Sequence, residues 1–138
     1  MRFVLMLPSE TRPSMLVHTC AAISDAEIRS LRDDMFGEGC ANGLLFDAEH
    51  CVILRDRFAD MAPESIVAEA ERPPTNEVLA KVGDGTLDAR VARWLEMMSA
   101  SWNTALPREP ATAAHFIADI VPAVSGSVVY TLRAEARR

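Results

Sequence analysis

Five residues in the first half of this chain have side chains that zinc prefers: His18, Cys20, Cys40, His50 and Cys51. Protein zinc sites usually contain ligand pairs spaced as Cys-x2–4-Cys or His-x3–5-His, and no such pair occurs here. His18 and Cys20 would share one face of a strand, whereas His50 and Cys51 would point to opposite faces. We therefore predict small buried thiols and no cofactor. The alternative is a zinc or thiol site made from His18, Cys20 and either Cys40 or Cys51.

Four acidic residues form the other candidate set: Glu10, Asp47, Glu49 and Asp56. Carboxylates hold Mg²⁺ when several of them converge on one point. Asp47 and Glu49 lie in a predicted turn, where backbone hydrogen bonding favours short polar side chains. Asp56 follows Arg55 at the end of a predicted strand, a position typical of a surface ion pair. A structural role is favoured, and a metal-dependent enzyme that uses these four acids is the alternative.

Other catalytic patterns are missing from the sequence. There is no Gly-x-Ser-x-Gly nucleophile motif. The segments 37–39 and 83–85 each place an acid between two glycines, without the further glycine or lysine of a phosphate-binding loop. His115 stands beside Phe116 in a short apolar helix, so we predict a hydrogen-bonded packing role for it. No catalytic residue is assigned, and the sequence favours a protein that is not an enzyme.

The elements that would position these residues begin with two short apolar runs at 3–7 and 15–20, separated by a turn rich in proline. Residues 24–27 match a capping box, and the apolar spacing that follows predicts a helix over 25–36. Two apolar runs within 43–56 predict a β-hairpin.

The second half of the chain predicts an edge strand at 66–70 and a short helix at 75–82 with Thr75 as its N-cap. A helix over 87–103 is indicated by an apolar stripe. A helix over 112–121 ended by Pro122, and a strand at 127–132, complete the pattern. The stripe consists of Leu87, Val91, Trp94, Leu95, Met98 and Trp102.

Together these elements predict one α/β (α+β) domain over residues 1–138. Its mixed sheet has about five or six short strands packed with three or four helices. The order is ββαββ, followed mainly by helices and a final strand.

The order of residues 2–56 resembles the core of the PD-(D/E)XK restriction-endonuclease-like fold, as in the N-terminal domain of type I restriction enzyme R subunits. That family places an acid on the first part of a hairpin and Glu-x-Lys on its second strand, where they bind Mg²⁺ and activate water. In this chain His18 and Cys20 occupy the Glu and Lys positions, and Glu10 is the acid of the turn. The helix that usually precedes the first strand is not predicted. The resemblance therefore implies a catalytically inactive relative.

Composition narrows the classes of partner. The chain has 14 basic and 20 acidic residues, for a formal net charge of −6, and this excess of negative charge disfavours nucleic acid. No apolar run is long enough to span a bilayer, and the run at 3–7 is too short for a secretory signal. Three cysteines are an odd number, which indicates reduced thiols and a cytoplasmic protein. We predict a non-catalytic interaction module, most simply a homodimer that protects its strand edges.

Overall fold

The computed structural model describes residues 1–132, and six strands of that part form one sheet. The order across the sheet is β5-β4-β3-β2-β1-β6. β2 and β3 are parallel, and every other neighbouring pair is antiparallel. The predicted mixed sheet and α/β class are confirmed. The strands are β1 (Arg2–Met6), β2 (Met15–Thr19), β3 (Asn42–Phe46), β4 (Cys51–Asp56), β5 (Ile66–Ala68) and β6 (Val128–Leu132).

The described residues contain five α-helices, one more than the upper prediction. The extra helix follows from Pro122, which was predicted to end the helical segment but lies in the first turn of a further short helix. Proline is tolerated there because an N–H group in the first turn makes no hydrogen bond within the helix. The helices are α1 (Asp25–Glu38), α2 (Thr75–Val78), α3 (Leu87–Ser101), α4 (Pro110–Asp119) and α5 (Val121–Val124).

Helix α1 connects the two parallel strands β2 and β3. Its start is fixed by the Ser24 hydroxyl, which accepts the Glu27 N–H at 3.3 Å, as the capping pattern predicts. Its end is fixed by Gly39, whose positive φ of 65° suits a residue without a side chain. The helix packs closely on β3, since a Cβ at Gly43 would lie 2.5 Å from Met35 Sδ.

The sheet has a separate apolar core on each face. On one face α1 covers the buried residues of β2, β3 and β4, including Leu16, Leu45 and Val52. On the other face α2 to α5 pack around Trp94, which is fully buried. The predicted apolar stripe of α3 is therefore core, as its spacing indicates.

Two predicted helix starts are wrong. Thr75 is not an N-cap: Pro74 holds that position, and the buried Thr75 hydroxyl donates to the Asp47 carbonyl at 2.7 Å. This hydrogen bond to a residue distant in the chain thus replaces the capping hydrogen bond that Thr75 was predicted to make within its own helix. Helix α4 begins at Pro110 instead of residue 112, because Glu109 accepts the N–H groups of Ala111 and Thr112.

Candidate functional site

The four predicted acids lie at two opposite ends of the sheet. Glu10 is in the turn between β1 and β2, and Asp56 ends β4 on the same side. Asp47 and Glu49 are in the β3–β4 turn at the other end. Because a strand of five or six residues is about 17–20 Å long, these two pairs are too far apart to bind one ion together.

Asp47 has a structural role in its turn. Its Oδ1 accepts the N–H groups of Glu49 at 2.8 Å and His50 at 2.7 Å, and its Oδ2 accepts the Ile23 N–H at 3.1 Å. Burial acts to raise the pKa of Asp47, but these backbone donors outweigh it and lower the pKa below its usual value. The carboxylate thus joins the turn to the segment that leads into α1.

Asp56 and Arg55 do not pair with each other, although they are adjacent. Neighbouring residues of a strand point to opposite faces of the sheet. The Asp56 carboxylate accepts the Phe58 N–H at 2.8 Å and the Ser65 hydroxyl at 2.7 Å. Arg55 points to the face that carries α4.

The predicted soft ligands are also separated. Cys20 and Cys40 pack on the α1 face, whereas Cys51 is fully buried in the core of the other face. Burial raises the pKa of Cys20 and Cys40 to about 11 and raises that of Cys51 further, so these thiols stay protonated at neutral pH. Cys20 follows the end of β2 and Cys40 precedes the start of the parallel strand β3, so these two thiols lie at opposite ends of the sheet. Among residues 1–132, the alternative zinc set does not come together at one point.

His18 lies on the α1 face beside an acid of that helix. Its Nε2 is 3.1 Å from Asp34 Oδ2. Burial lowers the pKa of His18, and the attraction of Asp34 opposes this without reversing it. Arg2 competes for the same carboxylate at 3.1 Å. The buried His18 thus takes part in a polar contact between the sheet and α1.

A groove of about 870 Å³ separates the β4–β5 side of the sheet from α4. Its wall carries a chain of charged groups that the sequence did not predict. His115 Nε2 lies 2.7 Å from Glu69 Oε2, and His115 Nδ1 lies 2.9 Å from Asp119 Oδ2. Arg55 Nη1 forms an ion pair with Asp119 Oδ1 at 2.6 Å. We call Arg55, Glu69, His115 and Asp119 the groove network.

The groove network fixes the imidazole on both sides. The contact of Nε2 with Glu69 Oε2 is a hydrogen bond, and the contact of Nδ1 with Asp119 Oδ2 is an ionic one. Its side chain is 37% exposed, against 16% for Glu69 and 26% for Asp119. The ring therefore stays accessible from the groove while its orientation is held.

Three elements bring the groove network together: β4, which carries Arg55, the segment after β5, and α4. His115 and Asp119 are four residues apart in α4, which places them on one face of the helix. Glu69 follows β5, and its N–H donates to the Ile53 carbonyl at 2.8 Å, which extends the ladder by one residue. The His115–Asp119 spacing was the one signal visible in the sequence. The hydrogen-bonded packing role predicted for His115 agrees with its hydrogen bond to Glu69 and its edge-on contact with Phe116, and the contact with Asp119 adds to it.

Glu10 borders a second groove of about 440 Å³. Arg55 and Asp119 line this groove as well as the larger one. The Arg55–Asp119 ion pair therefore stands between two adjacent depressions at the α4 face.

A different surface lies at the opposite edge of the sheet. Val128, Tyr130 and Leu132 of β6 are 52%, 52% and 44% exposed. They face the same side as Val4 and Met6 of β1, because Tyr130 pairs with Val4 and Val128 with Met6. Helix α1 packs chiefly on β2 and β3, which leaves the three β6 side chains largely exposed. Val4 and Met6 are half-buried, and Val4 packs at the margin of the α1 core. We call these five residues the β6 flank.

The outer edge of β6 pairs with no strand among residues 1–132. Within the described part of the chain, no strand pairs with the N–H and C=O groups of β6 that point away from β1. Such groups can bind another extended chain. The β6 flank thus combines an open strand edge with an apolar face.

No family model, no curated protein and no solved structure matches this chain. The resemblance of residues 2–56 to the PD-(D/E)XK core accordingly stays a prediction. Within the described residues, no helix has the length and apolar character needed to cross a membrane.

Proposed function

We propose that this protein is a non-catalytic association module that forms a homodimer through the β6 flank. The observation that carries the proposal is the open edge of β6, which adjoins an apolar face on the same strand. Two copies of β6 pair in antiparallel fashion around a two-fold axis, so one surface serves as its own partner. The sheets of the two copies then become continuous.

The two edges of the sheet are built differently, and this supports β6 as the interface. β5 is only three residues long and is followed by Glu69, Glu71 and two prolines. Short edges, charges and prolines are the usual means of preventing strand addition. β6 has five residues, none of them charged or proline. β6 is thus the longer of the two edge strands and has no charge or proline within it, which favours it as the edge that accepts a partner.

Pairing of β6 also covers apolar surface. Val128, Tyr130 and Leu132 of each copy would lie next to those of the other, on the face that α1 leaves open. Burial of this area favours association, while the loss of rotational and translational freedom opposes it. A contact made mainly by one strand is small, so we expect a dissociation constant in the micromolar range.

Sedimentation velocity over a range of concentrations tests the proposal. We expect a monomer–dimer equilibrium for the unaltered chain and a monomer for Tyr130→Lys, which places a charge at the centre of the flank. Met61→Lys is the matched control, because Met61 is 94% exposed and lies in the loop between β4 and β5. The control is expected to dimerise normally. A monomer at every concentration, or equal dimerisation of both variants, would overturn the proposal.

A further inference from the structure

We propose that the groove network is a binding site for a divalent transition-metal ion, with Zn²⁺ as the first candidate. His115 Nε2 and Glu69 are the protein ligands, and Asp119 is a positioning residue that acts through the imidazole. The site lies at the β4–β5 side of the sheet, away from the β6 flank, so it does not depend on dimerisation.

The imidazole is oriented for this role. Asp119 Oδ2 lies 2.9 Å from His115 Nδ1 in an ionic contact. A carboxylate on one ring nitrogen fixes the tautomer in which the other nitrogen offers its lone pair to a metal. Arg55 in turn holds the second oxygen of Asp119 at 2.6 Å. The orienting carboxylate is thus itself fixed by β4.

The distance at the other nitrogen suits the replacement of a proton by a metal ion. His115 Nε2 and Glu69 Oε2 are 2.7 Å apart. Zinc bonds of about 2.0–2.2 Å at a tetrahedral angle place two such ligand atoms roughly 3.4 Å apart. A small rotation of the Glu69 side chain provides that separation. On metal binding, the proton that lies between His115 Nε2 and Glu69 Oε2 is released to water, and the ion takes its place.

The donor set selects the class of metal. Imidazole with carboxylate suits Zn²⁺ and neighbouring transition metals, whereas Mg²⁺ and Ca²⁺ prefer sets made of oxygen alone. The groove of about 870 Å³ gives water access to the remaining coordination positions. Glu71 and Glu109 line the same groove, and so do Arg57 and Arg72. The charges around the ion are therefore mixed, and the proposal depends on the ligand atoms themselves.

Calorimetric titration of the full chain with Zn²⁺, and Co²⁺ absorption spectra as an independent readout of coordination, test the site. We expect one equivalent to bind, with loss of binding in His115→Gln and in Glu69→Gln. Asp119→Asn should weaken binding by about 10–100-fold, as for other groups that orient metal ligands. The Co²⁺ spectrum would show whether the imidazole remains coordinated in that variant.

His50→Gln is the matched control, since His50 is an exposed histidine outside the groove, and it should bind Zn²⁺ as the unaltered chain does. Circular dichroism shows which variants fold. If His115→Gln does not fold, the loss of Zn²⁺ binding is tested with Glu69→Gln alone. Absence of binding at millimolar Zn²⁺, or equal binding by the His115, Glu69 and His50 variants, would overturn the proposal.

Discussion

Asp47 and Ile23 connect the β3–β4 turn to the segment that precedes α1, through a hydrogen bond of 3.1 Å from the Ile23 N–H to Asp47 Oδ2. The same carboxylate closes its own turn through two further N–H groups. One side chain thus fixes both a hairpin and the entry to a helix. Its charge should therefore contribute to stability.

We predict that Asp47→Asn lowers the free energy of unfolding at pH 7 by on the order of 1 kcal/mol, since solvent screens a partly exposed carboxylate. The pKa of Asp47 is lower in the folded chain than its ordinary value of 3.8. Its contribution is therefore complete well above pH 3.8 and is lost as the pH falls through the lowered pKa. Urea unfolding at several pH values should show the difference between the two proteins shrinking in acid.

Glu49→Gln is the control for this effect. Glu49 lies in the same turn, and its carboxylate accepts no hydrogen bond from residues 1–132. We expect its unfolding profile to follow that of the unaltered protein. A constant difference between Asp47→Asn and the unaltered chain from neutral to acid pH would contradict the explanation.

Gly43→Ala should lower the free energy of unfolding by about 1–2 kcal/mol, because the added methyl group meets Met35 Sδ and Leu31 beneath α1. Gly37→Ala, within α1, should have the opposite effect. Nothing lies within 4 Å of the Cβ that it adds, so we expect the free energy of unfolding to rise by up to about 0.5–1 kcal/mol. Urea unfolding measures both. Equal effects of the two substitutions would show that close packing at β3 is unimportant.

Trp94→Phe tests the larger core. The Trp94 Nε1–H donates to the Ala105 carbonyl at 3.0 Å inside the core, and the ring packs edge-on against Phe46 and Phe116. Loss of volume and of the hydrogen bond should cost about 2 kcal/mol. Trp102→Phe, at the partly buried margin of the same core, should cost less than about 1 kcal/mol. Thermal unfolding followed by far-UV circular dichroism compares them, and a reversed order would contradict this assignment of the core.

Local signals in the sequence were sufficient for most of the fold. The Ser24 cap, the apolar pair of runs within 43–56 and the stripe of α3 each depend on residues close in the chain. Thr75 shows where such signals fail, because its hydroxyl bonds to Asp47, 28 residues away. The position of the Thr75 side chain is therefore set by a carbonyl that is distant in the sequence.

The groove network was not predictable for the same reason. Glu69 and His115 are 46 residues apart, and neither segment indicates by itself that the two side chains meet. The acids and thiols singled out by residue type lie at opposite ends or faces of the sheet. Only the strand order and the position of α4 determine which polar groups meet.

The pairing of β1 with β6, in which Arg2 lies opposite Leu132, has a consequence for synthesis on the ribosome. β1 and β2 can pair as soon as both have emerged. The other edge of β1 has no partner until β6, near the end of the described residues, has been translated. During that interval β1, with Phe3 and Leu5, is an open edge. Nascent chains interrupted before residue 128 should therefore aggregate more readily than completed ones.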